Sequence, residues 1–273
     1  MNGSEMHVVF GANGPVGVEL VRQLVAQGIG VRAVCRSGRA DVPAGVEVVA
    51  GDAGDKEQVC RLCEGAGILY CCVGMPYTEW REQFPPVIDG LIAGGEQSGA
   101  RLVFADNLYC YGPADGPLTE DLPATRYGVK PALRARLAEN ILEAHRQGRI
   151  SATILRASDF YGPGVTNAML GERVFPALLE GKKVQLLGDV DLEHTYTYVP
   201  DFARGLITVA LSAQALGRAW HVPSAATLST REVLEIAARL PGRSLEISAL
   251  PGWVLGLLAL FNPVMRELKE MQY

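Results

Sequence analysis

Residues 7–17, with the sequence HVVFGANGPVG, decide the fold that this chain is predicted to adopt. The first four residues form a short apolar run that ends at a glycine, which is the pattern of a buried parallel strand. Three glycines, Gly11, Gly14 and Gly17, follow with the spacing GxxGxxG. Apolar residues then recur at helical spacing up to Gly28, so the stretch predicts a strand, a glycine loop and a helix in succession.

This strand–loop–helix unit has the properties of a phosphate-binding site. Glycines allow the backbone to turn sharply and to approach a pyrophosphate closely, and Pro15 suits the first turn of a helix. The first N–H groups of the helix and its dipole then favour an anion. The alternative is a tight glycine turn without a ligand. The predicted phosphate-binding residues are Gly11, Asn13, Gly14, Pro15, Val16 and Gly17.

Strands and helices continue to alternate along the chain up to Arg156, and Asp55 and Gln58 predict a capping box at the start of one helix. Alternation of this kind predicts a parallel sheet that helices cover on both faces, with right-handed crossovers. We therefore predict an α/β protein with a Rossmann-type, doubly wound parallel sheet. The predicted strands are residues 7–10, 29–35, 46–50, 68–73, 102–105 and 153–156, and the predicted helices include 86–97, 133–145, 172–180, 206–212 and 230–239.

Composition and charge make several classes of protein improbable. The net charge of −5 on 273 residues, with both signs spread along the chain, provides no electrostatic case for nucleic acid or an anionic membrane. The most apolar run, residues 253–261, is too short to span a bilayer and is interpreted as a buried or interfacial helix. The first predicted strand begins by residue 6, which leaves no room for a signal peptide before it. We expect a cytoplasmic protein.

The six cysteines agree with a reducing compartment. Four of them lie in or just after apolar strands, where a free cysteine behaves as a small hydrophobe. Cys60 and Cys63 form a lone C-x-x-C, for which packing is the preferred interpretation over zinc or redox chemistry. The four histidines show no ligand spacing, so we predict no metal site.

The end of the second predicted strand indicates which dinucleotide is bound. Ligands of open parallel sheets bind at the carboxyl ends of strands, and this strand ends Cys35-Arg36-Ser37. An acid would suit the ribose 2′-OH of NAD, but the first acid after the strand is Asp41. Arg36, with Ser37 beside it, can instead hold a 2′-phosphate bidentately, which predicts NADP over NAD. The alternative for Arg36 is a solvated surface side chain.

With its GxxGxxG loop between a predicted strand and helix, the chain resembles the short-chain dehydrogenase/reductase superfamily, in its extended or atypical branch, and there the NAD-dependent epimerase/dehydratase proteins. The resemblance implies a dinucleotide-binding domain over residues 1–161 and a smaller C-terminal substrate-binding lobe over 162–273. Within that lobe, residues 195–221 are expected to return to the first domain.

The resemblance also implies cofactor contacts at other strand ends. Asp52 would hydrogen-bond the adenine amine, although a loop or capping aspartate would look the same. Cys72, Val73 and Gly74 would bring the backbone close to the cofactor, since a side chain at Gly74 would obstruct that approach. Phe160 would stack beside the nicotinamide, and the alternative is a Gly/Pro-rich connector held by buried aromatics.

The catalytic residues of the family are altered in this chain. Aligned on Tyr111-Gly112, the serine of Ser-Ser-x-x-x-Tyr-Gly becomes Asn107, whose amide can donate to an oxyanion or can be only a turn residue. The family's Tyr-x-x-x-Lys becomes Tyr127-x-x-Lys130, and one residue of helix is about 100°. We expect Lys130 to hold the nicotinamide ribose, and the catalytic candidates are Asn107, Tyr127 and Lys130.

Aromatic and polar residues near these strand ends are the candidates for substrate contact. They are Tyr77, Trp80, Tyr109 and Asp159. For Tyr77 and Trp80, an aromatic anchor of the next helix is the alternative.

The resulting expectation is an NADP(H)-binding epimerase, dehydratase or reductase that transfers hydride to or from a small carbonyl or alcohol. A nucleotide sugar is one substrate candidate, and a homodimer is left open. The alternative function is a catalytically eroded protein that senses or binds NADP(H) without turnover.

Overall fold

A computed structural model describes residues 6–250 and 252–271. Strands and helices alternate through its first half, as the hydrophobic pattern predicts. In chain order they are β1 (Met6–Phe10), α1 (Pro15–Ala26), β2 (Val31–Cys35), β3 (Glu47–Ala50), α2 (Lys56–Leu62), β4 (Ala66–Cys71), α3 (Trp80–Ser98), β5 (Arg101–Asn107), α4 (Lys130–Arg146), β6 (Ala152–Ala157), β7 (Asp159–Tyr161), α5 (Phe175–Leu179), β8 (Val184–Leu187), β9 (Glu193–His194), β10 (Tyr196–Tyr198), α6 (Val199–Leu211), β11 (Ala219–His221), β12 (Leu228–Ser229), α7 (Thr230–Arg239), β13 (Ile247–Leu250), α8 (Gly252–Leu258) and α9 (Pro263–Lys269).

The central sheet has seven strands, which are all parallel and lie in the order β11-β6-β5-β4-β1-β2-β3. The chain winds outward from β1 to β3 and then in the opposite direction from β4, so the switch point lies between β1 and β4. This order confirms the predicted α/β class and the Rossmann-type, doubly wound sheet.

Helices cover both faces of this sheet. Val8 and Phe10 of β1 belong to one core cluster with buried residues of α2, α3 and α4. Val9, between them, is fully buried and points to the opposite face because successive strand residues alternate. On that side α1 packs against α6, and the side-chain amide of Gln23 donates to the carbonyl oxygen of Pro200 at 2.9 Å.

Three helices begin earlier than the sequence pattern predicts, α4 by three residues and two others by six or seven. The helix predicted at 86–97 begins at Trp80 and carries Pro85 and Pro86 in its interior. Trp80, Phe84 and Ile88, four residues apart, are all buried, so apolar burial outweighs the backbone hydrogen bonds that the prolines remove. The helix predicted at 206–212 begins at Val199, because Pro200 is tolerated in its first turn.

The capping box predicted for α2 is present only in half. Asp55 accepts from the backbone N–H of Gln58 at 3.0 Å and caps the helix. The oxygen of the Gln58 side chain accepts from the backbone N–H of Asp52 at 3.2 Å, not from that of Asp55. The glutamine therefore joins the helix to the end of β3.

The chain divides into two compact units. The first contains the described residues up to Ala157 together with Val199–Val222, and the second contains Ser158–Tyr198 and the described residues from Pro223 onward. The second unit has three two-stranded sheets, β10-β7, β12-β9 and β13-β8. Its core is formed by buried residues of the segment 170–196 and of α7.

The apolar run 253–261 contains most of the short helix α8, but four of its large side chains are exposed: Trp253, Leu257, Leu260 and Phe261. The interpretation of this run as a buried helix is wrong for these side chains, and the alternative of an interfacial helix stays a prediction. Over residues 6–250 and 252–271, no helix combines the length and the apolar character that crossing a membrane requires.

Asp106 of β5, Arg134 of α4 and Arg156 of β6 form a buried ionic cluster. Asp106 accepts from Arg134 of α4, with 2.9 Å to Nε, and from Nε of Arg156 of β6 at 3.2 Å. All three side chains are at most 9% exposed. The guanidinium of Arg134 also lies over the rings of Trp80 and Phe84, at 5.3 and 4.7 Å from their centroids. These contacts link β5, β6, α3 and α4, which are far apart in sequence.

Arg156 extends this cluster to the edge strand β11. It donates from Nη1 to the hydroxyl of Tyr111 at 2.8 Å, and that hydroxyl lies 2.7 Å from Nε2 of His221. The backbone N–H of His221 donates to Glu120 at 3.0 Å. Burial lowers the pKa of His221 from its ordinary 6.5; Glu120 opposes this change and Arg156 adds to it.

This arrangement predicts how stability depends on pH. Because the pKa of His221 is lower in the folded state, the unfolded state binds more protons just below pH 6.5. The free energy of unfolding should therefore fall as the pH is lowered from 6.5 toward the folded-state pKa. Urea denaturation at several pH values in this range measures the free energy of unfolding, and its dependence on pH should be weaker for His221→Gln than for the wild type. An unchanged pH dependence in His221→Gln, with His145→Gln as the control, would contradict the assignment.

Candidate dinucleotide site

The glycine loop after β1 is held by backbone hydrogen bonds from both neighbouring strands. The N–H groups of Gly11 and Ala12 donate to the carbonyl of Val34 in β2, at 3.0 and 3.1 Å. From β4, the N–H of Cys72 donates to the carbonyl of Phe10 at 2.8 Å. The loop is thereby fixed at the switch point of the sheet, where open α/β sheets bind their ligands.

Two of the three glycines are required by the protein itself. A Cβ on Gly11 would lie 2.4 Å from the carbonyl oxygen of Cys72, and Gly11 has φ +82°. A Cβ on Gly17 would lie 2.3 Å from the carbonyl oxygen of Gly11. No side chain fits at either position, because β1, α1 and β4 approach one another too closely there.

Gly14 is different, because a Cβ there meets only the carbonyl oxygen of Gly11 at 3.5 Å. Its backbone, with φ −81° and ψ 162°, suits any residue. It is the N-cap of α1, with no side-chain cap, and the first turn of α1 carries no acidic residue. The protein therefore leaves room beside Gly14 at a helix N-terminus that favours an anion, which is the environment that a dinucleotide pyrophosphate needs. Asn13 and Pro15 on either side are exposed, and Val16 is half-buried.

The turn after β2 is held by hydrogen bonds of Ser37 and exposes two arginines. The hydroxyl of Ser37 donates to the carbonyl of Arg39 at 3.1 Å and accepts from its N–H at 3.3 Å. Arg36 and Arg39 are both exposed. Because β1 and β2 are parallel neighbours, this turn lies at the same sheet edge as the glycine loop. Sequence reasoning selected Arg36 and Ser37 but missed Arg39, which the turn chemistry of Ser37 could have indicated.

The ends of β3 and β4 lie at the same edge of the sheet. Asp52 is exposed and its Oδ1 accepts from the N–H of Gly54 at 2.9 Å, which is the loop role that the sequence left as the alternative. Cys72 and Val73 are half-buried, and Val73 packs against the core. A Cβ on Gly74 would meet no protein atom within 4 Å, so no contact of the described chain requires glycine there.

The end of β5 carries Asn107, where the resembled family has serine. Its Oδ1 accepts from the backbone N–H of Tyr109 at 3.1 Å, so Asn107 forms a turn. Asp106, the neighbouring position, belongs to the buried ionic cluster. Both positions of the family's serine pair therefore have structural contacts in this chain.

Lys130 is the first residue of α4 and is only 2% exposed. Pro131 is compatible with this helix because it lies in the first turn. Tyr127 is 47% exposed and precedes the helix, with Gly128 at φ +60° between them. Tyr127 and Lys130 therefore do not share a helix, and helical spacing does not describe their relation.

Lys130 instead faces an aromatic cluster formed by Tyr77, Trp80 and Tyr109. Its Nζ lies 5.8 Å from the centroid of the Tyr77 ring. The hydroxyls of Tyr77 and Tyr109 are 2.7 Å apart, and both side chains are half-buried. Trp80 is only 6% exposed and its indole N–H donates to the carbonyl of Met75 at 3.0 Å, so it anchors the start of α3.

The remaining predicted residues, Asp159 and Phe160, lie in β7 of the second unit. Asp159 accepts at Oδ2 from Nε2 of His194 across 2.9 Å, and both side chains are about one-third exposed. His194 also lies against the ring of Tyr196, with centroids 4.8 Å apart. Sequence reasoning found no role for His194, since no spacing motif links it to Asp159.

Within the described part of the chain, no group of three or more histidine, cysteine, aspartate or glutamate side chains is arranged to hold a metal.

The switch-point glycine loop and the uncapped helix N-terminus define the class: a Rossmann-type protein with a site that fits a dinucleotide. Residues 7–222 match the profile of the NAD-dependent epimerase/dehydratase family. The chain belongs to that family, which confirms the resemblance to extended short-chain dehydrogenases.

Known relatives agree with this membership. An uncharacterised UDP-glucose epimerase, YtcB, of Bacillus subtilis is 24% identical over 199 residues, which are 68% of this chain and 62% of that protein. The chain thus matches less than two thirds of the length of this curated relative.

Solved structures share the fold. The UDP-glucuronic acid 4-epimerase of Bacillus cereus, in complex with NAD, has a TM-score of 0.79 and 18% identity over 90% of this chain and 86% of that one. The dTDP-glucose 4,6-dehydratase of Streptomyces venezuelae, with NAD bound, has a TM-score of 0.76 and 21% identity over 89% and 84%.

The glycine geometry predicts different outcomes for two substitutions. Gly14→Val should fold with a melting temperature close to that of the wild type but lose the stabilisation by NADPH, because the side chain occupies the space left for the pyrophosphate. Gly17→Val should lower the melting temperature of the ligand-free protein, because its Cβ collides with backbone. Thermal unfolding with and without NADPH measures both. Retained NADPH stabilisation in a folded Gly14→Val variant would mean that the nucleotide binds elsewhere.

Proposed function

We propose that this protein binds NADP(H) and acts as an epimerase, dehydratase or reductase on a small carbonyl or alcohol substrate, with a nucleotide sugar as the candidate class. The carrying observation is the unfilled space beside Gly14 at the N-terminus of α1, with the exposed Arg36 in the turn of the neighbouring strand. Family membership supports a nicotinamide dinucleotide, and the choice of NADP over NAD rests on the arginines alone.

Each residue of the site has a specific part in this proposal. The N–H groups at the start of α1 bind the pyrophosphate, and Arg36 binds the 2′-phosphate with Ser37 beside it. Asp52 faces the adenine, while Cys72, Val73 and Gly74 lie beside the nucleotide as backbone. Lys130 holds the nicotinamide ribose. Phe160 belongs to the second unit, and its stacking beside the nicotinamide stays a prediction. When bound, the nicotinamide supplies hydride transfer at its C4 atom.

The substrate class comes from the relatives and from the character of the site. The epimerases and the dehydratase that share this fold are named for UDP- and dTDP-sugars. Tyr77 and Tyr109 contribute hydroxyls and ring faces, which suit a polyhydroxylated ligand. Asp159 belongs to the second unit, and its contact with substrate stays a prediction. Asn107 is assigned the oxyanion contact, through the amide N–H₂ that its turn hydrogen bond leaves unused.

A second candidate function is a protein that senses NADP(H) without turnover. Two observations favour it: Asn107 takes part in a turn, and Tyr127 lies outside the helix that begins with Lys130. The proposal of an enzyme is preferred because the hydroxyls of Tyr77 and Tyr109 lie 2.7 Å apart and Nζ of Lys130 lies 5.8 Å from the centroid of the Tyr77 ring, which places titratable groups together at the carboxyl edge of the sheet. The homodimer stays a prediction.

Cofactor choice should follow Arg36. NADPH at about 100 times its dissociation constant should stabilise the fold by about 2.7 kcal/mol, which for this chain length raises the melting temperature by about 5–10 °C. At equal concentrations NADH should produce a smaller rise. Arg36→Ala should remove the difference, while Arg204→Ala, an exposed arginine of α6, should retain it. Equal rises from NADH and NADPH in the wild type would contradict the NADP assignment.

Turnover separates the enzyme from the sensor. The protein should be incubated with NADP⁺ or NADPH and a panel of UDP-sugars, dTDP-sugars and simple ketones, and the products separated by chromatography, because an epimerase regenerates its cofactor and leaves the nicotinamide absorbance unchanged. A new sugar isomer, a dehydrated sugar or NADPH oxidation supports the enzyme. Binding of NADPH with no product across the panel supports the sensor.

A further inference from the structure

We propose that the hydrogen-bonded hydroxyls of Tyr77 and Tyr109 form the proton-donor pair of this protein, in place of the tyrosine of the family's Tyr-x-x-x-Lys motif. The inference rests on the proposed function, because it assigns the proton donor of that reaction. It concerns only residues of the first compact unit.

The first unit contains five tyrosines, and three of them are unsuited to the role. Tyr70 is fully buried and its hydroxyl lies 3.3 Å from Nδ1 of His7, while burial raises its pKa strongly. The hydroxyl of Tyr111 is held between Arg156 and His221, and burial raises the pKa of this side chain also. Tyr127 is 47% exposed and lies outside α4.

Tyr77 and Tyr109 lie where a substrate of this sheet would bind. Tyr77 follows β4 and Tyr109 follows β5, two adjacent parallel strands, so both lie at the carboxyl edge of the sheet. The turn formed by Asn107 fixes the backbone of Tyr109, and the rings of Trp80 and Tyr77 pack edge to face with 4.9 Å between centroids. Both phenols are therefore oriented by neighbours while remaining half-buried.

The pair has the chemistry that proton transfer requires. When one hydroxyl gives its proton to a substrate oxygen, the phenolate left behind accepts a hydrogen bond from the other hydroxyl across the 2.7 Å separation. The buried ammonium of Lys130, above the Tyr77 ring, stabilises the same negative charge. In the opposite direction a substrate hydroxyl returns its proton to the phenolate, so protons and charge balance in both directions.

The first test needs neither cofactor nor substrate. Tyrosinate absorbance of the ligand-free protein should be followed against pH in the wild type, Tyr77→Phe, Tyr109→Phe, Tyr127→Phe and Lys130→Met. In the wild type, one tyrosine should ionise at least about one pH unit below the ordinary value of about 10. Either Tyr77→Phe or Tyr109→Phe should abolish this early ionisation, Lys130→Met should move it to higher pH, and Tyr127→Phe should preserve it.

The second test uses a substrate that the nucleotide-sugar and ketone panel identifies. Tyr77→Phe and Tyr109→Phe keep their rings, so NADPH should raise their melting temperatures as in the wild type. The kcat of the variant that lacks the donor hydroxyl should fall by about 10²–10⁴-fold. The kcat of Tyr127→Phe should fall much less.

The outcomes distinguish this inference from the proposed function. Absence of any early ionisation in the wild type, or its persistence in both Tyr77→Phe and Tyr109→Phe, overturns the pair. Loss of the early ionisation in Tyr127→Phe overturns the Tyr77–Tyr109 pair and favours Tyr127 as the ionising residue. If NADPH fails to stabilise the wild type, the proposed function fails, while the titration of the ligand-free protein still decides whether the two phenols and Lys130 form a coupled acid–base group.

Discussion

The structure depends on one close approach, at which the glycine loop lies against β4 and against the first turn of α1. Side chains are excluded at Gly11 and Gly17 because backbone oxygens would lie 2.4 and 2.3 Å from their Cβ atoms. This contact positions α1 at the switch point between β1 and β4, with its N-terminus at the sheet edge. The close packing at Gly11 and Gly17 therefore sets where the N-terminus of α1 lies, and the candidate site is built around that N-terminus.

A second constraint explains why the catalytic positions of the family differ here. Asp106 is committed to two buried guanidinium groups, and a buried carboxylate of this kind is costly to replace because its partners would stay charged. Asn107 is committed to the turn that orients Tyr109. Both positions of the family's serine pair therefore have structural contacts in this chain, and the paired hydroxyls of Tyr77 and Tyr109 come from the loops after β4 and β5.

Local pattern predicted most of the first unit because each element there satisfies its own periodicity. Its misplaced boundaries have tertiary causes: α3 extends back to Trp80 because an aromatic face is buried there, despite two prolines. In the second unit the strands are only two to four residues long, and such short runs lack a period that a sequence could reveal. The relation of Tyr127 to Lys130 depends on where the helix starts, and the structure starts it at Lys130.

The sequence by itself determined the family, the parallel sheet and the glycine loop after β1, because glycine spacing and hydrophobic period are local properties of the chain. Only the tertiary structure decided which glycines serve packing and which leaves room for a ligand. It also decided that Tyr77, Tyr109 and Lys130 meet, since these residues lie on separate segments that only the parallel pairing of β4 with β5 and the packing of α4 bring to one edge. Contacts between distant segments follow from sheet order and burial, which no local pattern encodes.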